Sequence, residues 1–529
     1  MADKQYLLTP KLSMTKDPKF SRSLKIALFA TGLSGIVAEY VLSTLASYFL
    51  GDSVVQFTLI VSIMLFAMGL GARISRRFET DLLATFISLE YILSLLVTFA
   101  SLTAYGISLF PSLTAVSLYS LSLIIGLLIG MEIPLVIRMN DAFEELKVNV
   151  SNIMENDYYG SLLGGIFFAF VGRPYLGLTY TPFVLGMVNF SVAFYLLILL
   201  NKHLKTVQYK KLKWASAFMF LIWGLGLWQA SNIIAYGEQQ RYADQVIFDQ
   251  QTNYQRIVLT ENKGDYWLFL NGNQQLSTLD EVNYHEAIVH PMLSKLKQPK
   301  NILILGGGDG CVAREVLKYP SVEKITLVDL DPAMTHLAKE NPVMRKINQD
   351  SFHNPKVQII NGDGFTFMAD HPDYYDGIII DLPDPKNVDI ARLYTVEFYQ
   401  LCYKHLRPNG LMVTQAGSPY YAEEAFKCID KSFQAAGFST LPYHTHLITL
   451  GEWGWVMGSK NIPQQNMKRA FEKLNFPDST THWINQDAMK MMMSFGKSVF
   501  KVDDKNIKPN YLHHPTLYKY YLDGHWELY

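Results

Sequence analysis

Residues 301–317 read Asn301-Ile-Leu-Ile-Leu-Gly306-Gly-Gly-Asp-Gly310-Cys-Val-Ala-Arg-Glu-Val-Leu317, an apolar strand that passes through a glycine turn into a helix. The same strand-then-turn pattern returns three times. Lys324-Ile-Thr-Leu-Val328 ends at Asp329, Lys356-Val-Gln-Ile-Ile360 ends at Asn361-Gly-Asp363-Gly364, and Tyr375-Asp-Gly-Ile-Ile-Ile380 ends at Asp381-Leu-Pro-Asp384-Pro385. Strands alternating with helical stretches in this way predict a parallel, Rossmann-like α/β domain over residues 297–460.

The chemistry is expected where those strands end, because open α/β sheets bind ligands beyond the carboxyl ends of their strands. Gly306 and Gly308 let the backbone turn tightly and approach a ligand, and the following helix offers free N–H groups. Asp329 stands twenty residues beyond Asp309, at the spacing of an acid that holds both hydroxyls of an adenosine ribose. Asp363 would accept a hydrogen bond from the exocyclic amine of an adenine. The competing reading is that Asp309, Asp329 and Asp363 are three helix N-caps, a position Asp favours. An acid in the glycine turn disfavours a dinucleotide, whose pyrophosphate would have to approach Asp309, and favours a cationic adenosine compound. Asp381 and Asp384 join Asp309 around one crevice, a poor setting for anions and a good one for a polyamine. An ordinary Asp-Pro turn is the plainer alternative for that pair. Tyr284-His285-Glu286 is expected to cover the crevice from above.

Outward from this domain the chain changes character twice. Residues 238–296 hold alternating stretches such as Gln255-Arg-Ile-Val-Leu259 and Tyr266-Trp-Leu-Phe-Leu270, parted by turn residues, which predict a small antiparallel β-sheet domain. Residues 1–237 carry long apolar runs at 26–50, 54–72, 82–110, 113–137, 158–171, 180–200 and 214–236. A bilayer core of ~30 Å needs about 20 residues of helix, so this half is expected to be a membrane domain of about seven spans. The run at 158–171 is the shortest, and a re-entrant or tilted piece is the alternative there. Gly126 with Gly130 and Gly160 with Gly164 would let helices approach closely in lipid. Glu39, Glu90 and Glu132 fall inside apolar runs, where they serve either interfacial or structural hydrogen bonding, or a cation pathway.

The whole chain of 529 residues has 46 basic and 47 acidic side chains, a balance that excludes a strongly basic nucleic-acid binder, so no nucleic acid partner is expected. With 49% hydrophobic and 18% charged residues it is not disordered, and it leans toward a lipid bilayer as its surroundings. Cys311, Cys402 and Cys428 are too few and too scattered for a disulfide framework or a zinc cluster, so they read as free thiols. Residues 461–529 form a C-terminal extension without a motif, whose cluster Met489, Met491, Met492 and Met493 is expected to pack in a core or interface.

Tyr254-Gln255, Tyr284-His285-Glu286, Gly306-Gly-Gly-Asp-Gly310, Gly362-Asp-Gly364 and Asp381-x-x-Asp384-Pro385 together resemble the spermidine synthase, or polyamine aminopropyltransferase, family between residues 254 and 460. The apolar half, with Leu382-Pro-Asp-Pro385, Gly417-Ser-Pro419 and Gly451-Glu-Trp-Gly454, resembles its membrane-fused bacterial branch. The resemblance implies that Asp381 is the catalytic proton acceptor. It implies that Asp384, Asp309 and His285 hold the polyamine, and that Tyr284 lines the junction between the substrates. Gln255, Asp329, Asp363 and Gly364, with the Gly306 and Gly308 turn, would hold decarboxylated S-adenosylmethionine, a co-substrate rather than a permanently bound cofactor. No metal is called for. Soluble members carry a hydroxyl residue after the catalytic Asp and a tyrosine before the late glycine. Here Leu382-Pro383 and Ile448-Thr-Leu450 stand instead.

The expected activity is aminopropyl transfer from decarboxylated S-adenosylmethionine to putrescine, giving spermidine and methylthioadenosine. An S-adenosylmethionine-dependent methyltransferase shares the fold but has no use for so many acids at the transfer point. A polyamine transporter or sensor with a non-catalytic soluble domain is the third reading. A homodimer is expected by resemblance to soluble relatives. The chain is expected in the cell (inner) membrane as a multi-pass protein. Six basic residues against two acids in residues 1–25 would place the N-terminus in the cytoplasm and, with seven spans, the soluble domain outside. Supply of a cytosolic sulfonium co-substrate favours the cytoplasmic face instead, which would need one span fewer or more.

Overall fold

The computed structural model describes residues 18–50, 53–108, 110–141, 143–497, 499–500 and 504–526, so Lys4, Lys11 and Lys16 of the basic tail lie outside the described residues. The chain divides into two compact units, Met1–Ala243 and Asp244–Tyr529.

The first unit is a bundle of α1 (Pro18–Leu50), α2 (Ser53–Ile74), α3 (Leu82–Gly106), α4 (Pro111–Asn140), α5 (Leu146–Phe167), α6 (Gly177–Leu199) and α7 (Thr206–Gln239). Among the described residues, six helical stretches are long and apolar enough to cross a membrane. The fifth, Leu146–Leu199, contains 54 residues, about 80 Å of helix against a ~30 Å bilayer core. It turns back on itself. A π-helical segment, Phe168–Leu176, containing Pro174, leads to Gly177, whose φ of +63° and ψ of −172° suit only glycine. Contacts fix the two directions. Lys25, Gly32 and Leu33 of α1 meet Glu144, Asp157 and Gly164 in rising order, so α5 runs parallel to α1. Ser94 and Ser101 of α3 bond the carbonyls of Gly186 and Leu178 in falling order, so α6 runs antiparallel to α3. Phe49 of α1 packs on Tyr105 of α3, and Phe20 shares a cluster with Leu83, so α1 and α3 are parallel. Among the described residues the chain therefore passes the bundle seven times. The weakest expected span is longer than its apolar run, because its first half carries Asn149, Asn152 and Asp157.

Small residues bring the helices together as expected. A Cβ on Gly160 would lie 1.9 Å from the Phe29 carbonyl oxygen, and one on Gly130 would lie 2.1 Å from that of Met68. Gly126 lies on Met64, and Gly164 on Leu33. Outward faces stay apolar, with Phe66, Phe170, Trp214 and Trp228 exposed. Glu90 and Glu132 are buried in the bundle interior, so interfacial placement does not describe them. Glu39 is half-buried.

The second unit begins with an antiparallel sheet of β1 (Gln245–Gln251), β2 (Arg256–Asn262), β3 (Asp265–Leu270) and β4 (Asn273–Ser277) in sequential order. Helix α8 (Glu281–Lys295) leads into β5 (Asn301–Gly306), α9 (Cys311–Leu317), β6 (Lys324–Asp329), α10 (Pro332–Glu340), β7 (Val357–Asn361), β8 (Tyr375–Asp381), β9 (Leu406–Gly417), β10 (Ser439–Leu447) and β11 (Gly451–Ser459). These seven strands form one sheet in the order β10-β11-β9-β8-β5-β6-β7, with only β11 antiparallel to its neighbours. The chain reverses its direction of growth between β5 and β8, which creates a switch point.

Strand alternation divides the core into two layers. Ile302 and Ile304 point into one cluster, and Leu303 and Leu305 into the other. The first cluster also contains Leu259 and Leu268 of the small sheet and Met489, Met492 and Met493 of the extension, while Leu517 and Tyr521 join the second. Residues 238–296, 297–460 and 461–529 thus share cores. Met489, Met492 and Met493 pack as expected, and Met491 is exposed. All three cysteines are buried free thiols.

Candidate active site

The site lies at the switch point. Gly306 and Asp381 are register partners at the ends of β5 and β8, and the Gly307 N–H donates to the Asp381 carbonyl at 2.9 Å. A Cβ on Gly306 would fall 2.0 Å from that carbonyl, and its φ is +83°. Glycine here is what allows the two strand ends to close together. The Asp381 side chain then faces the crevice with the ligating atoms of His285 and Asp309, all three within 4.8 Å of one another. The Tyr284 hydroxyl donates to Asp381 Oδ1 at 2.6 Å. Burial, reinforced by the Asp309 charge, raises the Asp381 carboxyl to about 6, against the opposing pull of His285 and Tyr284.

His285 is oriented from behind. Its Nδ1 lies 2.8 Å from Glu281 Oε2, one helical turn earlier on α8, and Arg314 of α9 grips Glu281 with two bonds of 2.8 and 2.7 Å. Burial alone would lower His285, but the bond to Glu281 and the charges of Glu281 and Asp309 leave it raised. Burial likewise opposes the charge on Glu281, yet His285 and Arg314 hold it down to about 2. Glu286 does not cover the crevice. Its carboxylate accepts the backbone N–H groups of His482, Trp483 and Ile484 and so anchors the C-terminal extension.

Asp384 receives the Tyr521 hydroxyl at 2.7 Å, a contact 137 residues long in sequence, and burial raises its carboxyl. Lys386 lies beside it, 5.8 Å from the centre of the Tyr521 ring. Gln415 braces this loop from β9, bonding the Leu382 carbonyl at 2.9 Å and the Tyr394 hydroxyl at 2.8 Å. Tyr521, Gln415 and Tyr394 were invisible to motif reasoning. The Glu281 to His285 spacing, one turn of α8, is a local signal, but residues 238–296 were expected to form a β-sheet domain and no helix was expected there.

On the other side of the turn, Asp329 Oδ1 accepts the Asp331 N–H at 2.9 Å, and burial raises its carboxyl to about 6. A Cβ on Gly308 would sit 2.6 Å from Asp329 Oδ2, so glycine there makes room for the acid. The loop carrying Gln255 is tied to the same place, because Thr252 donates to Asp331 Oδ2 at 2.8 Å. Asp363 behaves as the capping reading expects: it is the N-cap of the helix Gly364–Asp370 and accepts the Thr366 N–H at 2.9 Å. Its carboxylate also pairs with Arg392, and although burial opposes the charge, Thr366 and Arg392 hold it below the ordinary range. Asp309 and Asp329 are not N-cap residues, those positions being Gly310 and Asp331, although the N–H that Asp309 accepts is that of Cys311, the first residue of α9. Each accepts a backbone N–H two residues on.

Three acids and a histidine around a switch point, beside a buried acid on the neighbouring strand, suit a cationic amine and a cationic nucleoside better than any anion. Residues 281–469 match the family model described as the spermine/spermidine synthase domain. The chain is 41% identical over 507 residues to "Polyamine aminopropyltransferase 2" of Aquifex aeolicus (strain VF5), covering 95% of this chain and 98% of that one. It is 37% identical over 518 residues to "Polyamine aminopropyltransferase" of Oceanobacillus iheyensis, covering 97% and 99%. A solved spermidine synthase from Thermotoga maritima aligns with 48% of this chain and 86% of its own at 29% identity, with a TM-score of 0.43. Identity that runs through both the helical bundle and the acid-lined crevice places this enzyme among the polyamine aminopropyltransferases, in the spermine/spermidine synthase family.

Proposed function

We propose that the chain transfers the aminopropyl group of decarboxylated S-adenosylmethionine to putrescine, giving spermidine and methylthioadenosine. The observation that carries this reading is the Asp381 carboxylate, set at the switch point with Asp309 and His285 and held in place by the Tyr284 hydroxyl. An aliphatic primary amine has a pKa near ~10 and arrives protonated. Asp381 holds the ammonium, accepts its proton and leaves the lone pair directed at the carbon next to the sulfonium. The nitrogen–carbon bond forms as the carbon–sulfur bond breaks, and the electron pair leaves on a neutral thioether. Asp384, oriented by Tyr521, suits the distal ammonium of the acceptor. Asp329 suits the ribose hydroxyls, and Gln255 and Gly364 border the same adenosine. Orientation of the two substrates can supply roughly 7 to 11 kcal/mol of the barrier.

Asp363 reaches an adenine amine only as part of its pair with Arg392, so that role belongs to the pair. Incubating the purified full-length protein with decarboxylated S-adenosylmethionine and a panel of amines, followed by mass spectrometry, tests the reading. Methylthioadenosine and spermidine should form in equal amounts. Methylated amine would support a methyltransferase, binding without turnover a sensor, and a different aminopropylated product another acceptor.

A further inference from the structure

The amine end of the crevice carries a charge that the transfer chemistry does not use. Lys386, two residues beyond Asp384, is half-buried, and its Nζ donates at 2.5 Å to Oδ1 of Asn273, the first residue of β4 in the small sheet and 113 residues away in the chain. Asn273 is turned to receive it, because its amide nitrogen faces the carbonyls of Leu270 and Asn271 at 3.4 and 3.3 Å. The β1–β2 turn lies at the same end of the sheet and carries Thr252, whose hydroxyl bonds Asp331 at 2.8 Å. Asp331 in turn donates its N–H to Asp329. The small sheet is thus fastened at two places, one near Asp329 and one near Asp384.

The second fastening fixes a positive charge beside Asp384. The Lys386 N–H donates to the Asp384 carbonyl at 2.7 Å, which keeps the two residues in one tight turn. Lys386 Nζ lies 5.8 Å from the centre of the Tyr521 ring, and the hydroxyl of that ring holds Asp384 Oδ2 at 2.7 Å. Burial opposes the charge on Lys386, and the Asp384 carboxylate supports it. Trp526 backs Tyr521, with ring centres 4.6 Å apart and its indole N–H on the Tyr521 carbonyl at 2.6 Å. Around Asp384 the site therefore has an aromatic wall from the C-terminal extension and a lysine tied to the small sheet. An ammonium has three donors and no acceptor, so Lys386 cannot bond a second ammonium. Two like charges in a half-buried setting repel each other more strongly than in water.

We propose that Lys386 is a specificity-determining residue: Asp384 takes the distal ammonium of a diamine, and the Lys386 charge behind it rejects a triamine, whose third ammonium would have to lie beyond Asp384. The enzyme then stops after one transfer, because the product of that transfer is itself a triamine. This inference rests on the aminopropyl-transfer reading and on Asp384 as the partner of the distal ammonium.

The test uses the purified full-length protein with saturating decarboxylated S-adenosylmethionine and with putrescine and spermidine as competing acceptors, the two products being counted by mass spectrometry. Wild type should prefer putrescine about a hundredfold or more, the scale of a like-charge contact. Lys386→Met, which keeps the length of the side chain and removes its charge, should lower that preference at least tenfold. Lys386→Arg should retain it, and Asn273→Ala, which releases the lysine, should lower it less than Lys386→Met. The preference is a ratio within one protein sample, so a loss of folded enzyme lowers both terms alike. Equal use of both amines by wild type, or a wild-type preference in Lys386→Met, would overturn the role of Lys386 while leaving the aminopropyl-transfer reading in place. No aminopropylated product from either amine with the wild-type protein would overturn that reading and this inference with it.

Discussion

At Asp381 one carboxylate joins the stability of the fold to the chemistry. On the proposed mechanism Asp381→Asn keeps the bond from Tyr284 but removes the proton acceptor, so turnover should fall about 10² or more while binding of the sulfonium substrate persists. With a carboxyl raised to about 6, the base is in its active form above that pH, so kcat/KM should climb as pH rises through about 6. The Asn variant should lose that limb. Stability has the opposite sign. A carboxyl whose folded value exceeds its unfolded value near ~3.9 contributes stability below the lower value and loses it as pH rises through the higher one. Asp381→Asn should therefore raise Tm at pH 7 to 8, with the difference from wild type shrinking toward pH 4. Thermal scans across that range check it. Asp329→Ala should first raise KM for the sulfonium substrate, since a ribose contact is felt in ground and transition state alike. Tyr521→Phe removes the hydroxyl from Asp384 and should raise KM for the amine several-fold more than it lowers kcat. Equal kinetics for Tyr521→Phe and wild type would remove Tyr521 from the amine site.

At the scale of elements, the turn from β5 to α9 is where backbone geometry becomes function. Gly308 has no room for a methyl group, because Asp329 Oδ2 and Cγ would lie at 2.6 and 2.8 Å and Met334 Cγ at 3.1 Å. Gly308→Ala should displace Asp329, the acid proposed to hold the ribose. Its expected signature is a tenfold or larger rise in KM for the sulfonium substrate, with a loss of stability of about 1 to 3 kcal/mol from overpacking, read by denaturant titration. A variant with normal KM would mean that Asp329 is positioned by other contacts. The glycine turn and its acids were legible because a tight turn and a nearby acid leave local marks. The bracing of His285 by Glu281 and Arg314 was only half legible, through the one-turn spacing on α8.

For the whole molecule, the helix directions decide which end of the bundle carries the exit. Gly237 of α7 abuts Tyr105 at the C-terminal end of α3, and Arg241 lies over the Tyr48 ring near the C-terminal end of α1. The chain thus leaves the bundle at the end opposite to the N-terminus of α1. Seven passes keep the two expectations opposed: the charge rule would place the second unit outside, and substrate supply would place it in the cytoplasm. Arg73, Arg76, Arg77 and Arg138 join the basic residues 202–213 at the N-terminal end, so the positive-inside rule predicts a cytoplasmic face for that end. Fluorescent-protein and phosphatase fusions at the N-terminus and after Gly237 should report opposite faces, fluorescence at the first and phosphatase activity at the second. Reporters on the same face would contradict the turn at Gly177. Phosphatase activity at the second position would mean that the proposed sulfonium substrate must be delivered across the membrane.

The sequence by itself determined the two-part organisation, the strand ends that carry the acids and the apolar length of the spans. Each of these follows from local periodicity: alternation for strands, runs near twenty residues for membrane helices, glycine where the backbone must turn. Tertiary structure alone decided which side chains meet. The pairing of Asp384 with Tyr521 across 137 residues, of Asp363 with Arg392, and of Glu90 with Glu132 depends on how distant elements pack. No short-range pattern encodes those meetings, because a carboxylate looks the same in sequence whether its neighbour is water, an arginine or another acid.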